Sequence, residues 1–202
     1  LTTENNRLDL LQIVSNAVKE MAEGELLQME KARKLDIDEK VYYKIIKQKT
    51  ASLVAACCGT GACSVVEDKK IVDSMINIGT NVGMAFQIKD DIFDFGSSEN
   101  IGKPTGIDIR ERKMTLPLIY TLNKVDSKSK RNIINTFKRH NEDTVKVNEV
   151  IKMVIENGGI KYAETKMHEY KNKALLEIKN IPDSPSKSAF IGLIEYSINR
   201  EK

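Results

Sequence analysis

Three aspartates lie together in this chain and are its best candidates for metal chemistry. Asp90, Asp91 and Asp94 fall in the pentapeptide DDIFD, and no Lys or Arg stands three or four residues from any of them. If the segment is helical, Asp90 and Asp94 share one face, where like charges cost about 0.2–0.5 kcal/mol per pair. Carboxylates completed by water and phosphate oxygens are the usual Mg²⁺ environment, so we expect this cation here. A solvated acidic helix end is the alternative.

A second candidate group precedes the aspartates. Lys49 falls on an apolar stripe that also contains Tyr42, while other lysines of the same segment lie on the opposite side. A lysine on such a stripe either holds an anion or extends its ammonium group to water, and the adjacent Thr50 adds a hydroxyl group. Gln28 ends another apolar stripe, in the first long helix.

The residues before Asp94 continue its helical face without bulky side chains. Steps of three or four residues backward from Asp94 meet Asp90, Gln87, Gly83 and Gly79. Glycine inside a helix costs about 1 kcal/mol relative to alanine, and close approach of a ligand or a second helix is a usual reason for it. Gln87 is therefore a candidate site residue.

An irregular segment over residues 96–113 follows the aspartates. It is too long for a simple connector, and we expect a flexible active-site loop. Lys103 in this segment is a point charge that can bind phosphate oxygens. A P-loop is excluded, since five residues separate Gly96 from Gly102 and Pro104 follows the lysine.

The elements that carry these residues are predicted to be helical. Apolar residues recur at three- and four-residue spacing almost throughout, so we predict an all-α fold and a single domain over residues 1–202. Ser64 with Glu67, and Ser184 before Pro185, mark helix starts. The predicted helices cover residues 4–32, 37–61, 68–95, 115–123, 128–140, 144–157, 160–179 and 185–200.

Composition narrows the class of partner. Lys and Arg total 32 against 29 acidic residues, and no basic run stands clear of acids, so no nucleic-acid footprint is indicated. No apolar run approaches 18 residues and the amino end lacks a targeting pattern, which favours a cytoplasmic protein without stable membrane insertion. The three cysteines have no metal-ligand spacing, and we expect free thiols.

Five segments in order resemble the trans-isoprenyl diphosphate synthases, the polyprenyl synthetase family. They are GELLQ at 24–28, KT at 49–50, FQIKDDIFDF at 86–95, GKPTGID at 102–108 and ERKMTLP at 111–117. The resemblance implies an isoprenoid-synthase-type helical bundle. It also implies a Mg²⁺-dependent prenyltransferase of isoprenoid biosynthesis, which condenses isopentenyl diphosphate with an allylic diphosphate by 1′-4 head-to-tail elongation.

The same resemblance assigns roles to single residues. Three carboxylates are implied as metal ligands: Asp90, Asp91 and Asp94. Cationic and polar side chains are implied at the diphosphate and metal: Lys49, Lys103, Lys113 and Gln28. Thr50 and Gln87 are implied beside the developing allylic cation, so that the expected catalytic residues are Lys49, Thr50 and Gln87.

The chain departs from the family pattern before residue 1. The first aspartate-rich motif and the N-terminal helices are missing, so we expect the C-terminal portion of a longer enzyme, inactive by itself. Alternatives are a non-catalytic or regulatory subunit of a two-component prenyl diphosphate synthase and a helical interaction module. The family resemblance also implies a homodimer, for which apolar residues of the first helix are available: Leu10, Leu11, Val14 and Val18.

Overall fold

The computed structural model describes residues 6–34, 37–96 and 105–200 of the chain, and regular structure within these ranges is helical throughout. This confirms the all-α prediction. The elements are α1 (Leu8–Lys34), α2 (Glu39–Ile46), a π-helical turn (Lys47–Ala51), α3 (Ser52–Cys63), α4 (Lys69–Phe93), α5 (Ile107–Arg110), α6 (Leu116–Lys124), α7 (Ser127–Arg139), α8 (Thr144–Glu156), α9 (Gly159–Ile178) and α10 (Pro185–Asn199).

Two helix boundaries show how capping residues compete. The prediction that Ser64 begins a helix is wrong, because α3 runs to Cys63 and the Ser64 N–H donates back to the carbonyl groups of that helix. The start of α4 is instead capped by Asp68, whose carboxylate accepts the Lys70 N–H at 2.9 Å. A carboxylate beside the first turn is the better cap, since it also suits the helix dipole.

By contacts between Cα atoms the chain divides into two compact units. The first unit comprises Leu1–Met29, Tyr43–Gln87 and His168–Asn199. The second comprises Glu30–Tyr42, Ile88–Met167 and Arg200–Lys202. Helix α4 therefore contributes residues to both. The prediction of a single domain over residues 1–202 stays a prediction beside this division.

The second unit has an aliphatic and aromatic core drawn from the end of α4 to α8. Its buried members are Phe95, which follows the end of α4, and residues of the next four helices: Ile109, Leu118, Leu122, Ile133, Phe137, Val147, Val150 and Val154. The short helix α5 contributes Ile109, which is fully buried, so the end of the irregular segment is fastened to this core.

Two further findings concern the surroundings of the protein. Among the described helices none is both long enough and apolar enough to cross a membrane. The three cysteines, Cys57, Cys58 and Cys63, carry free thiols, as the sequence predicts.

Candidate active site

A π-helical turn interrupts the long helix that the sequence predicts over residues 37–61. The N–H of Ser52 donates to the carbonyl oxygen of Lys47, five residues earlier instead of four. The Ser52 hydroxyl group donates to the Gln48 carbonyl oxygen at 2.6 Å, so the side chain supplies the bond that the backbone N–H would make in an α-helix. Such turns contain one extra residue and are frequent at functional sites. Here the turn carries Lys49 and Thr50.

Glycines from two helices press against this turn. A Cβ atom on Gly24 of α1 would lie 2.7 Å from the Lys49 backbone nitrogen, and one on Gly83 of α4 would lie 2.6 Å from the Ala51 Cα atom. Gly79 approaches the backbone of α3 equally closely. Gly79 and Gly83, which the sequence places on the helical face of Asp94, therefore allow close packing between helices. This packing holds the backbone of the π turn in place.

Lys49 meets the polar end of α1. Its ammonium group donates to the Gln28 amide oxygen at 2.7 Å and lies 2.5 Å from the Glu25 carboxylate. The Lys49 side chain is 36% exposed, so its charge stays within reach of solvent. The structure thus brings together Lys49 and Gln28, two residues that the sequence places on separate helices.

Thr50 meets the middle of α4. Its hydroxyl group donates to the Gln87 amide oxygen at 2.8 Å. This bond orients two neutral, dipolar side chains without a strong base between them. Groups of this kind stabilise a developing cation through their oxygen dipoles, provided that they are held in place before the reaction.

Asp90 follows Gln87 by three residues on α4 and is paired with an arginine. The carboxylate accepts a bond from the guanidinium group of Arg200, which also lies over the Phe93 ring at 5.5 Å from its centroid. The Asp90 side chain is 41% exposed. It is therefore a carboxylate that a solute can reach.

Asp91 has a different environment. It is only 5% exposed, and its carboxylate accepts a hydrogen bond from the hydroxyl group of buried Tyr42, with 2.7 Å between the two oxygens. A buried carboxylate needs such a donor to offset its loss of hydration. Tyr42, which the sequence assigns to an apolar stripe, is thus a polar contact of the aspartate motif.

Asp94 lies just beyond α4 and binds the start of α5. Its two carboxylate oxygens accept the backbone N–H groups of Ile107 at 2.8 Å and Asp108 at 3.1 Å. Its carbonyl oxygen accepts the Gly106 N–H at 2.9 Å. Burial raises the pKa of Asp94, and the two backbone hydrogen bonds act against this rise.

Lys113 stands in a group of acidic side chains. Its ammonium group lies 2.5 Å from the Glu111 carboxylate and 3.7 Å from that of Asp108. Burial, and next the nearby charge of Asp94, raise the pKa of Asp108 to about 6. Lys113 is therefore a partly screened cation held beside the carboxylate of Asp108.

The structure accordingly joins some of the predicted site residues within each unit. In the first unit Lys49 contacts Gln28, and Thr50 contacts Gln87. In the second unit Asp90 contacts Arg200, Asp91 contacts Tyr42, Asp94 contacts Ile107, and Lys113 contacts Glu111. Lys103 lies outside the described residues.

Sequence reasoning missed the roles of Tyr42 and Arg200. Tyr42 could have been suspected, since it carries one polar atom on an otherwise apolar stripe two turns before Lys49. Arg200 stands among polar residues near the end of the chain, where no pattern distinguishes it.

The carboxylates fit a magnesium ion only together with further oxygen donors. Within the described ranges no three acidic, histidine or cysteine side chains are grouped so as to hold a metal ion. Magnesium in proteins is usually held by one or two carboxylates, with substrate phosphates and water completing the shell. Asp90 and Asp91 match that donor chemistry.

Comparison with known sequences gives a consistent result. The chain matches the family described as polyprenyl synthetase over residues 1–154. It is 30% identical over 207 residues to octaprenyl diphosphate synthase of Escherichia coli (strain K12), covering all of this chain and 62% of that protein. It is 28% identical over 197 residues to heptaprenyl diphosphate synthase component 2 of Bacillus subtilis (strain 168), covering 97% of this chain and 56% of the relative.

Comparison with solved structures agrees. A polyprenyl synthase from Caulobacter crescentus, complexed with calcium and isoprenyl diphosphate, aligns with a TM-score of 0.91 at 29% identity, covering 100% of this chain and 62% of that one. A geranylgeranyl pyrophosphate synthase from Bacteroides thetaiotaomicron aligns with a TM-score of 0.88 at 35% identity, covering 98% and 66%. The chain thus spans about three fifths of the length of these proteins.

Proposed function

The chain belongs to the polyprenyl synthetase family, and from this premise we propose that it takes part in Mg²⁺-dependent condensation of isopentenyl diphosphate with an allylic diphosphate. The observation that carries the proposal is the pairing of Lys49 with Gln28 and of Thr50 with Gln87 around one π-helical turn. It provides a cation for a leaving diphosphate beside neutral dipoles for a carbocation. Both are needed when an allylic carbon separates from diphosphate.

Recognition of the diphosphate is assigned to cations and to the metal. By the family resemblance Lys49, Lys103 and Lys113 are each assigned to diphosphate oxygens, and the Gln28 amide oxygen accepts a hydrogen bond from the Lys49 ammonium group. Asp90 and Asp91 would hold the magnesium ion, which would supply positive charge to the leaving diphosphate. Metal ligation by Asp94, the third aspartate, stays a prediction.

The reaction then needs charge stabilisation more than proton transfer. The bond between the allylic carbon and its diphosphate oxygen breaks, and the Thr50 and Gln87 oxygens face the allylic cation. The double bond of isopentenyl diphosphate attacks this carbon, and the new cation gives up a proton to an oxygen of the released diphosphate as the new double bond forms. Lys49 acts by neutralising diphosphate, so its loss should lower the rate about 10²–10³-fold.

The test compares two lysines of the same π turn in the full-length protein. Lys49→Ala should lower turnover of the allylic diphosphate about 10²–10³-fold, while Lys47→Ala, which removes an exposed lysine two residues away, should leave turnover within about twofold. Equal losses in both variants, or no loss in either, would contradict the assignment.

A second candidate function has one specific observation in its favour. A relative from Bacillus subtilis is described as component 2 of heptaprenyl diphosphate synthase. By analogy the chain would act in a two-component synthase, in a non-catalytic or regulatory role. Turnover by the full-length protein purified without any other chain would exclude this alternative.

The homodimer is likewise a proposal. One row of apolar side chains on α1 faces outward, with Leu11 36%, Val14 46% and Val18 61% exposed. A second copy of the chain would cover this row. Light scattering should give twice the monomer mass, and replacing the three residues by serine should give the monomer.

The free thiols suit a cytoplasmic setting.

A further inference from the structure

The carboxylate of Asp94 is engaged by the backbone of a neighbouring segment, which is not the arrangement of a metal ligand. Both of its carboxylate oxygens accept backbone N–H groups, one from Ile107 and one from Asp108, and its own carbonyl oxygen accepts the Gly106 N–H. Three bonds from one residue thus hold three consecutive residues. The carboxylate occupies the place of a helix cap, although it stands thirteen residues before the helix that it caps.

The segment that Asp94 holds leads directly to Lys113. The Lys113 N–H donates to the Asp108 carbonyl oxygen at 2.7 Å, and the Lys113 ammonium group lies 3.7 Å from the Asp108 carboxylate. Between them Ile109 is fully buried. A residue that fixes the backbone at Asp108 therefore also holds the backbone of Lys113, whose ammonium group lies between the carboxylates of Glu111, at 2.5 Å, and Asp108, at 3.7 Å.

A glycine completes the attachment. Gly106 has a φ of +76°, in the left-handed region, and a Cβ atom there would lie 2.6 Å from a methyl group of Val147. Only glycine fits both the conformation and the space without a shift. The chain is therefore bent sharply at Gly106, which turns the next two N–H groups toward Asp94.

We infer that Asp94 is a positioning residue: its carboxylate fastens the Gly106–Lys113 segment so that the Lys113 ammonium group is placed for a phosphate ligand. The inference rests on the proposed function for the identity of that ligand. It divides the aspartate motif into two carboxylates that the proposed function assigns to the metal, Asp90 and Asp91, and one that organises the neighbouring loop.

The first experiment measures the two hydrogen bonds between the Asp94 carboxylate and the backbone, in the metal-free, full-length protein. Hydrogen exchange of the amides of Ile107 and Asp108 should accelerate at least about tenfold in Asp94→Ala. Asp94→Asn, which keeps one acceptor oxygen, should give a smaller increase. Asp126→Asn is the control: Asp126 caps α7 by accepting two backbone N–H groups on one carboxylate oxygen, which the amide can keep, so exchange at Ile107 and Asp108 should not change. Unchanged exchange at both amides in Asp94→Ala would overturn the inference.

The second experiment measures how the Asp94 carboxylate affects the binding of pyrophosphate. With inorganic pyrophosphate and MgCl₂ in a calorimeter, Asp94→Ala should weaken binding about three- to tenfold, and Lys113→Ala should do the same. In the double variant the two losses should not add, because Asp94 acts through Lys113. Additive losses would mean that Asp94 acts by another route, for example as a direct metal ligand, and would overturn the inference.

The two experiments also separate this inference from the proposed function. If Asp90→Asn and Lys49→Ala leave pyrophosphate binding unchanged, the proposed function fails. The exchange of the Ile107 and Asp108 amides then still decides whether Asp94 fastens this segment.

Discussion

Two regions of the molecule position charged groups by different physical means. The lysine–threonine region, residues 47–52, is shaped by backbone packing: a π turn, with Gly24 and Gly83 pressed against it. The aspartate–loop region, Asp94 with residues 105–113, is shaped by hydrogen bonds and ion pairs. Steric fit sets the backbone of the first region, whereas hydrogen bonds and ion pairs make most of the described contacts of the second, where Gly106 is also closely packed.

This difference matters for what each region tolerates. Close-packed backbone cannot absorb an added methyl group without a shift, so the first region should respond to volume and register. Partly exposed ion pairs contribute little to stability and weaken with salt, so the second should respond to charge and ionic strength. Each of the following predictions changes the register, the volume, a hydrogen bond or a charge in one of the two regions.

The largest effect, a loss of turnover, is expected when the π turn is removed. Deleting Gln48 makes the bond from Ser52 to Lys47 a regular α-helical one, which preserves the flanking helices but moves Lys49 and Thr50. The unfolding free energy should fall by about 1–3 kcal/mol, because Gln48 packs against Gly24, while turnover should fall about 10²–10³-fold. Urea titration and a turnover assay measure the two effects. Retained turnover would show that the turn does not position these residues.

Adding a methyl group to the packed backbone should have the next largest effect. Gly83→Ala places a Cβ atom 2.6 Å from the Ala51 Cα atom, so the helices must separate, at a cost of about 1–3 kcal/mol in unfolding free energy. Gly192→Ala is the control, because a Cβ atom there meets nothing within 4 Å. It should be neutral or stabilise by up to about 1 kcal/mol. Equal effects in the two variants would refute the steric account.

A smaller loss should follow removal of one neutral hydrogen bond. Thr50→Val keeps the volume of the side chain but loses the hydroxyl group that donates to Gln87. The expected loss of unfolding free energy is about 0.5–1.5 kcal/mol, and Thr50→Ser should restore most of it. The loss should be the same at low and high salt. A loss of unfolding free energy that depends strongly on salt would mean that electrostatics also shapes the lysine–threonine region.

The smallest effect on stability is expected at Lys113. Its side chain is 38% exposed and that of Glu111 is 52% exposed, so Lys113→Gln should cost no more than about 1 kcal/mol. That cost should vanish near 1 M salt, where the screening length is about 3 Å. Denaturant titrations at two salt concentrations test this. A loss that persists in high salt would mean that packing, and not charge, holds Lys113.

The periodicity of apolar residues determined the all-α class and most helix limits, because helical burial repeats locally every three to four residues. The residue types of the KT and DDIFD segments likewise marked the candidate site. The family resemblance carried its chemistry.

Tertiary structure decided the contacts between distant segments. The π turn arises where Gly24 and Gly83 crowd one backbone, and Tyr42 reaches Asp91 only because both are buried together. The Asp94 carboxylate caps a helix thirteen residues away. None of these has a local pattern, because each depends on which segments the fold brings within bonding distance.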